Sequence, residues 1–436
     1  MRRLVLSFVL VVAPPLRAED RVVPLTLAEA VAKAQKSSAR LLQLQALKDA
    51  ADAGLRGARA GRMPQLDLGA SYTRNSSVPE LVVSIPGVFS QTVFPNIPDQ
   101  YRAHAGLTLP LYTGGRVPGG IGAARAQTAA AERDLAAAEN DLTLETRSAY
   151  WSLVAARQSE RVLTEAVAAF LAHLRDAENR ARLGLAARNE VLLVQVERDR
   201  AELNRLQAGN AAAIANANLL RLVDLPPATR LEPSEPAATG EATPTEIEPL
   251  VARALEARPD LAALRSRISA AEASVKLARA ASLPQAGMAA GYDYARPNPR
   301  VLPLVPEWKG TWSLGVNLSW NVFDGGRAAA AGAQAEAQEK ALRRQLEDLV
   351  QRVRLDVTSR ALDLVTARAA LAVSQRGLDA ARENLRVSQE RYREGLVPSS
   401  DLLDGETALL RAGLDETQAL IQLRLALAQL ERATGR

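Results

Sequence analysis

The chain of 436 residues contains no cysteine, two histidines and only 4% aromatic residues. Without cysteine there is no disulfide, no thiolate metal site, no cysteine nucleophile and no lipid-modified N-terminal cysteine. The two histidines, His104 and His173, stand far apart with no paired acid motif beside either. Each reads as a pore-facing or surface residue, so no catalytic residue, metal site or cofactor is expected and the chain is not read as an enzyme. Scarcity of rings also argues against an ordinary globular interior, since a chain rich in Ala, Leu, Arg, Glu and Gln has the composition of long packed helices. No charge of one sign dominates: the net charge is +5, and Arg343, Arg344, Glu347, Asp348, Arg352, Arg354 and Asp356 interleave both signs as a solvated helix face does. Nucleic acid is therefore not an expected partner. Nor is there an apolar run long enough to span a bilayer as a helix. Residues 1–18, MRRLVLSFVLVVAPPLRA, carry Arg2 and Arg3, about ten apolar residues and a small residue at Ala18, which is the pattern of a secretory signal peptide.

What the chain does contain is a copy of itself. ARAGRMPQ, ending at Gln65, returns as ARAASLPQ, ending at Gln285, an offset of 220. LYTGGRV (111–117) returns as VFDGGRA (322–328) at an offset of 211, which persists to Gly184 and Gly395. Repeats of this kind take precedence over local signals. The sequence is thus divided into a first repeat, 19–223, a proline-rich linker, 224–249, and a second repeat, 250–436. The change of offset places an insertion in residues 78–100, read as a surface loop.

Each repeat opens with an amphipathic helix, about 26–60 and 245–281, and then changes period. In QLDLGASYT (65–73) and HAGLTLPL (104–111) apolar residues alternate with small or polar ones, and QAGMAAGYDY (285–294) and TWSLGVNLSW (311–320) repeat the pattern. A period of two is a strand, giving hairpins over 64–112 and 284–323. Beyond Gly114-Gly115 and Gly325-Gly326, which act as strand-to-helix joints, no clear breaker occurs until Gly184 and Gly395. Val350, Val357, Leu364, Leu371, Leu378, Leu385 and Tyr392 fall at strict sevens, with mostly small residues three places on. That spacing predicts a left-handed coiled coil. Shorter helices return over 187–223 and 399–433.

The strands have apolar faces that the helices, already engaged with one another, leave uncovered. Alternating segments of this length suit a membrane β-barrel. Aromatic residues gather at the Gly-Gly-Arg ends (Tyr112, Trp320, Phe323) and at the loop ends (Tyr72, Tyr101, Tyr292, Tyr294, Trp308, Trp312), as two girdles would. Four strands cannot close a barrel, and open edges are not tolerated in lipid, so protomers must pool strands. Three protomers give twelve strands and room for water. The alternative is a soluble periplasmic coiled-coil scaffold.

With its signal peptide, doubled halves, LTLAEAVAKA (25–34), the PQ strands, YTGGR, FDGGR and RYREGLVPSSDLLDGETALL (391–410), the chain resembles the TolC family of outer-membrane efflux proteins over essentially its whole mature length. The resemblance implies an α+β membrane protein: a homotrimer whose twelve-stranded β-barrel, four strands per protomer, sits in outer-membrane lipid and continues into a long periplasmic α-helical barrel. The linker would be its equatorial region. It implies the exit duct of a tripartite efflux or type I secretion system, a passive channel gated at its periplasmic end. Its partners would be a periplasmic adaptor and an inner-membrane transporter exporting drugs, metal ions or proteins.

Asp401 and Asp404 lie one turn apart after Pro398, Ser399 and Ser400 start a helix, where acids also complement the helix dipole. In the resemblance they match two aspartate rings at the pore constriction. Tyr392 and Glu190 match a gate latch between helix pairs, whereas Val397 stands where the family's latch arginine would be.

Overall fold

A computed structural model of the chain describes residues 22–234 and 246–435; the signal-peptide segment and residues 235–245 of the linker lie outside the described residues. In chain order, strand β1 (Val22–Leu25) leads to helices α1 (Leu27–Ser37) and α2 (Ala39–Ala60). Strands β2 (Gln65–Arg74), β3 (Leu81–Ile85), β4 (Phe89–Phe94) and β5 (Asp99–Tyr112) precede α3 (Arg116–Arg182) and α4 (Arg188–Val223). Then come β6 (Arg230–Pro233), α5 (Glu248–Ala257), α6 (Pro259–Arg279), β7 (Gln285–Arg296), β8 (Lys309–Ser319), α7 (Arg327–Arg393) and α8 (Ser399–Ala433). Two compact units form, one within residues 1–42, 136–258 and 351–436, the other within 43–135 and 259–350.

In the first unit the heptad seam of α7 is buried as its spacing predicts: Val357, Leu364, Leu371, Leu378 and Tyr392 are all inside. Ala361, Leu364, Ala367 and Leu371 pack on Ala419, Leu423, Ala426 and Leu430 of α8, so large side chains meet small ones. Small neighbours let the helices approach closely, and interior packing density then makes each missing methylene costly. A second core joins Phe170 and Leu174 of α3 to Val194 and Ala201 of α4 and to Leu403 of α8.

The initial helices differ from expectation, for each is two helices. Breaks fall at Ser38 and Arg258, 220 residues apart, both with extended backbone. Ser38 accepts the Leu41 N–H on its Oγ at 3.3 Å, restarting the helix as a cap. Arg258 precedes Pro259, and a residue before proline is pushed out of the helical region. Part of the supposed linker is also ordered: β6 pairs in parallel with β1, burying Leu25 and Leu231, and Tyr150 Oη donates to the Leu25 carbonyl at 3.1 Å. Strands of four residues are too short to show a period.

The second unit holds an antiparallel sheet in the order β2-β5-β7-β8. Its register puts Asp67, Gly106, Gly291 and Ser313 in one row and Gly69, His104, Asp293 and Thr311 in the next, all on the polar face. The rows between carry Leu66, Leu107, Ala290 and Leu314, then Leu68, Ala105, Tyr292 and Trp312. The apolar face is uncovered in the protomer: Leu68 is 77% exposed, Trp312 75% and Leu318 72%. At the loop end Tyr101 lies 5.0 Å from Tyr72 and 6.0 Å from Trp308, which stacks on Tyr294 at 5.0 Å. The insertion expected as a loop is a separate hairpin, β3 with β4. Asn96 fastens its base, donating to Ser77 Oγ at 2.7 Å and accepting from the Val78 N–H at 3.3 Å.

Leu364→Ala removes a side chain with no exposure from the α7–α8 seam and is expected to cost about 2–5 kcal/mol. Glu347→Ala, in an exposed ion pair with Arg344, should stay within about 0.5 kcal/mol. Denaturant midpoints of the two variants, compared in the same detergent, check this.

Candidate functional site

The repeated Gly-Gly-Arg segments turn a strand into a helix. Gly114 and Gly115 have φ of +60° and +93°, Gly325 and Gly326 +68° and +88°, a region that side chains disfavour. The first turn of each helix is capped from the same relative position: Thr113 Oγ1 accepts the Val117 N–H at 3.2 Å, and Asp324 Oδ2 accepts the Ala328 N–H at 2.8 Å. At Gly114 a Cβ would sit 2.8 Å from that of Leu283, so the turn has no room for one.

The other ends of the long helices also match one another. At α3 the Leu185 N–H bonds the Arg180 carbonyl at 2.9 Å and Gly184 N–H that of Ala181 at 3.0 Å. At α7 Leu396 and Gly395 bond Arg391 and Tyr392 at 2.9 and 3.1 Å. These paired bonds close each helix on a left-handed glycine, φ +74° in both. Four residues after each glycine the chain re-enters a helix.

On α8 the first two turns divide cleanly. Ser399, Leu402, Leu403, Gly405 and Glu406 are buried, whereas Asp401 and Asp404 are exposed. Asp401 accepts a hydrogen bond from its neighbour Ser400 at 3.3 Å, and among the described residues neither acid enters an ion pair. They form a small, unneutralised acidic edge.

Tyr392, at the end of α7, is buried, and its hydroxyl makes no well-formed hydrogen bond, although Asp176 and Ser399 stand close enough to act on it. The expected bond to Glu190, half-buried at the start of α4, is thus not made in this conformation. Arg180 of α3 holds the tyrosine instead. Its guanidinium lies 4.0 Å from the ring centre, and Nη2 donates to the Tyr392 carbonyl at 3.2 Å. Asp176, one turn earlier, fixes that guanidinium at 3.0 Å. Burial of the phenol, more than any charge, pushes its pKa up, so it stays neutral.

Both histidines depart from the sequence expectation, because each has an acid partner that sequence separation concealed. His104 is half-buried on the polar sheet face, 2.9 Å from Asp293, which also accepts from Arg102 Nε at 2.6 Å. His173 is not a surface residue: its side chain is 1% exposed. Nδ1 lies 2.8 Å from Glu406 Oε2, Nε2 lies 2.9 Å from Ser399 Oγ, and the ring meets Tyr392 edge-on at 5.6 Å. Serine, imidazole and carboxylate in this sequence resemble a hydrolase triad. Here the serine is 2% exposed, so a substrate carbonyl cannot reach it. Among the described residues no group of three acids or histidines is placed to hold a metal ion.

Arg180, His173, Ser399 and Glu406 were missed by reading the sequence. The available signal was weak: Ser399 and Glu406 are seven apart, and so share the helix face of Leu402 and Leu403.

The sequence profile of the outer membrane efflux protein family matches residues 30–223 and 250–436. Protein CyaE of Bordetella pertussis (strain Tohama I) is 29% identical over 76% of this chain and 69% of its own. The outer membrane protein TolC of Vibrio cholerae is 24% identical over 94% and 90%. Among solved structures, the outer membrane protein VceC of Vibrio cholerae has a TM-score of 0.77 at 21% identity, covering 94% of this chain and 96% of that one. Among the described residues no helix is long and apolar enough to cross a membrane. The chain belongs to the outer membrane efflux protein family, whose members are outer-membrane channels.

Proposed function

We propose that three copies of this chain form a passive exit duct for efflux or type I secretion, joined to an inner-membrane transporter through a periplasmic adaptor. The observation that carries this reading is the four-stranded sheet. Its outer strands β2 and β8 each have one neighbour among the described residues, and its apolar face is bare. In lipid both conditions are relieved when β8 of one copy pairs with β2 of the next and the twelve strands close. The polar rows then line water, and the long helices form the periplasmic part. A soluble coiled-coil scaffold has no use for such a sheet. Native mass in detergent should correspond to three chains, and the purified protein should give discrete conductance steps in planar bilayers. A single-chain mass with no conductance returns the scaffold reading.

The gate in this proposal is the turn between α7 and α8, with Tyr392 as its fixed point and Glu190 as the acid of the first helix pair. In this chain the tie is Arg180 on the tyrosine ring, a cation–π contact of about 0.5–2 kcal/mol reinforced by one hydrogen bond. That is enough to bias a two-state gate without locking it. Because Arg180 holds the ring and carbonyl of Tyr392, and the hydroxyl makes no well-formed hydrogen bond, Tyr392→Phe should change conductance less than loss of Arg180 does. Arg180→Ala should raise it, in single-channel recordings at one salt concentration.

Asp401 and Asp404 are proposed as the selectivity filter. In a trimer they give two acidic rings, and acids grouped in a narrow passage favour cations over anions and bind polyvalent cations. Reversal potentials under a salt gradient test this: Asp401→Asn with Asp404→Asn should move them toward zero and relieve block by trivalent cations. An unchanged reversal potential and block would remove the pair from the filter.

A further inference from the structure

The contacts that fix the first turns of α8 about the helix axis decide where its acids point. Ser399 and Glu406 are seven residues apart, a rotation that returns to within about 20° of the starting direction and a rise of about 10.5 Å. Asp401 and Asp404 lie about 140–200° away, on the opposite side. Side chains on a helix lean toward its N-terminus, so Glu406 reaches back toward Ser399 and one imidazole can meet both. His173 does so, with Ser399 on one ring nitrogen and Glu406 on the other. In the tautomer with its proton on Nδ1, the ring donates to the Glu406 carboxylate while Nε2 accepts from the serine hydroxyl. Leu402 and Leu403, buried on the same face, complete the grip.

We infer that His173 is the positioning residue for the acid pair: by stapling residues 399 and 406 of α8 to α3, it fixes the direction in which Asp401 and Asp404 project. The inference rests on the proposed role of that pair. It assigns to α3, which carries neither acid, control over how closely the acids approach one another. Polar groups contact the imidazole from α7 and α8: Tyr392 meets it edge-on, and Ser399 and Glu406 bond it, while Asp176 and Arg180 of its own helix pair with one another beside Tyr392. The nearby core contribution from α4 is apolar, from Val194 and Ala201. Only the two α8 groups bond the ring in the described contacts, so the staple acts on α8.

The absence of cysteine makes the test clean, because a nitroxide label on a single introduced cysteine has one possible site. Ser400→Cys, exposed in the first turn of α8, reports that turn and keeps both carboxylates; because it removes the Ser400 bond to Asp401, selectivity is read in chains that retain Ser400. Asp415→Cys, exposed further along α8, is the control. His173→Leu keeps bulk and removes both bonds, while Ser399→Ala removes only one. In the full trimer, His173→Leu should loosen the label at 400 and leave the label at 415 unchanged. It should also lower cation-over-anion permeability by about twofold or more, with Ser399→Ala intermediate. His173→Gln, whose amide can still reach Ser399, should restore part of both readouts.

If the label at 400 is as immobile in His173→Leu and Ser399→Ala as in wild type, the staple is overturned. It is overturned also if the label loosens while selectivity holds in a channel whose selectivity the double asparagine variant abolishes. Should that double variant itself leave selectivity unchanged, the filter reading fails, and the label at 400 alone then decides whether His173 holds the helix. If His173→Leu does not assemble, Ser399→Ala carries the same comparison.

Discussion

A strand edge in lipid has nowhere to send its amide and carbonyl groups, and the rest of this molecule follows from that. Each unpaired backbone group in hydrocarbon costs several kcal/mol, so an edge the length of β2 or β8 cannot remain open there. The sheet is complete enough to order itself, since β5 and β7 join the two hairpins through a long antiparallel register. In the proposed duct it is completed by the strands of further copies. Bare leucines and tryptophans on one face and aspartate, histidine and serine on the other are contradictory in a soluble monomer, but consistent in a wall between lipid and water.

The helices answer a different constraint. Their seams are dry and regular, with large side chains on small ones, and their charges lie in exposed ion pairs each worth little. Polar chemistry enters the interior at few places. The cluster of His173, Ser399, Glu406 and Tyr392 is one, set just behind the exposed acids of α8. Buried polar groups fix orientation better than apolar contacts do, because a rotated helix would leave them unbonded.

Much of the architecture was legible because its periods are long. Seven-residue spacing in α7, alternation in the four long strands and the doubled Gly-Gly-Arg turns each repeat often enough to outweigh local noise. What escaped was short or distant. Strands β1 and β6 have four residues each, and the β3–β4 hairpin hides in a stretch rich in turn residues. The break at Arg258 was visible in Pro259, but its partner at Ser38 had only a serine to announce it. The acid pair could be singled out from its neighbours in sequence. The buried cluster behind it could not, since His173 and Glu406 meet across 233 positions. Tyr392 was singled out by pattern, whereas the Arg180 guanidinium that lies over its ring comes from α3, far away in sequence.

Helices α3 and α7 are each 67 residues long, although the segments before them differ in length by the inserted hairpin. The copies have therefore diverged where length is free and kept step where it is not. Adding one residue to a helix turns everything beyond it by about 100° and shifts it by about 1.5 Å, which would carry a buried seam out of register. Seven residues nearly restore the phase, but the shaft then outruns its companion. Change in such a molecule has a grammar: loops at the sheet's far rim accept any number of residues, while the shafts accept only whole heptads, entered in both copies at once.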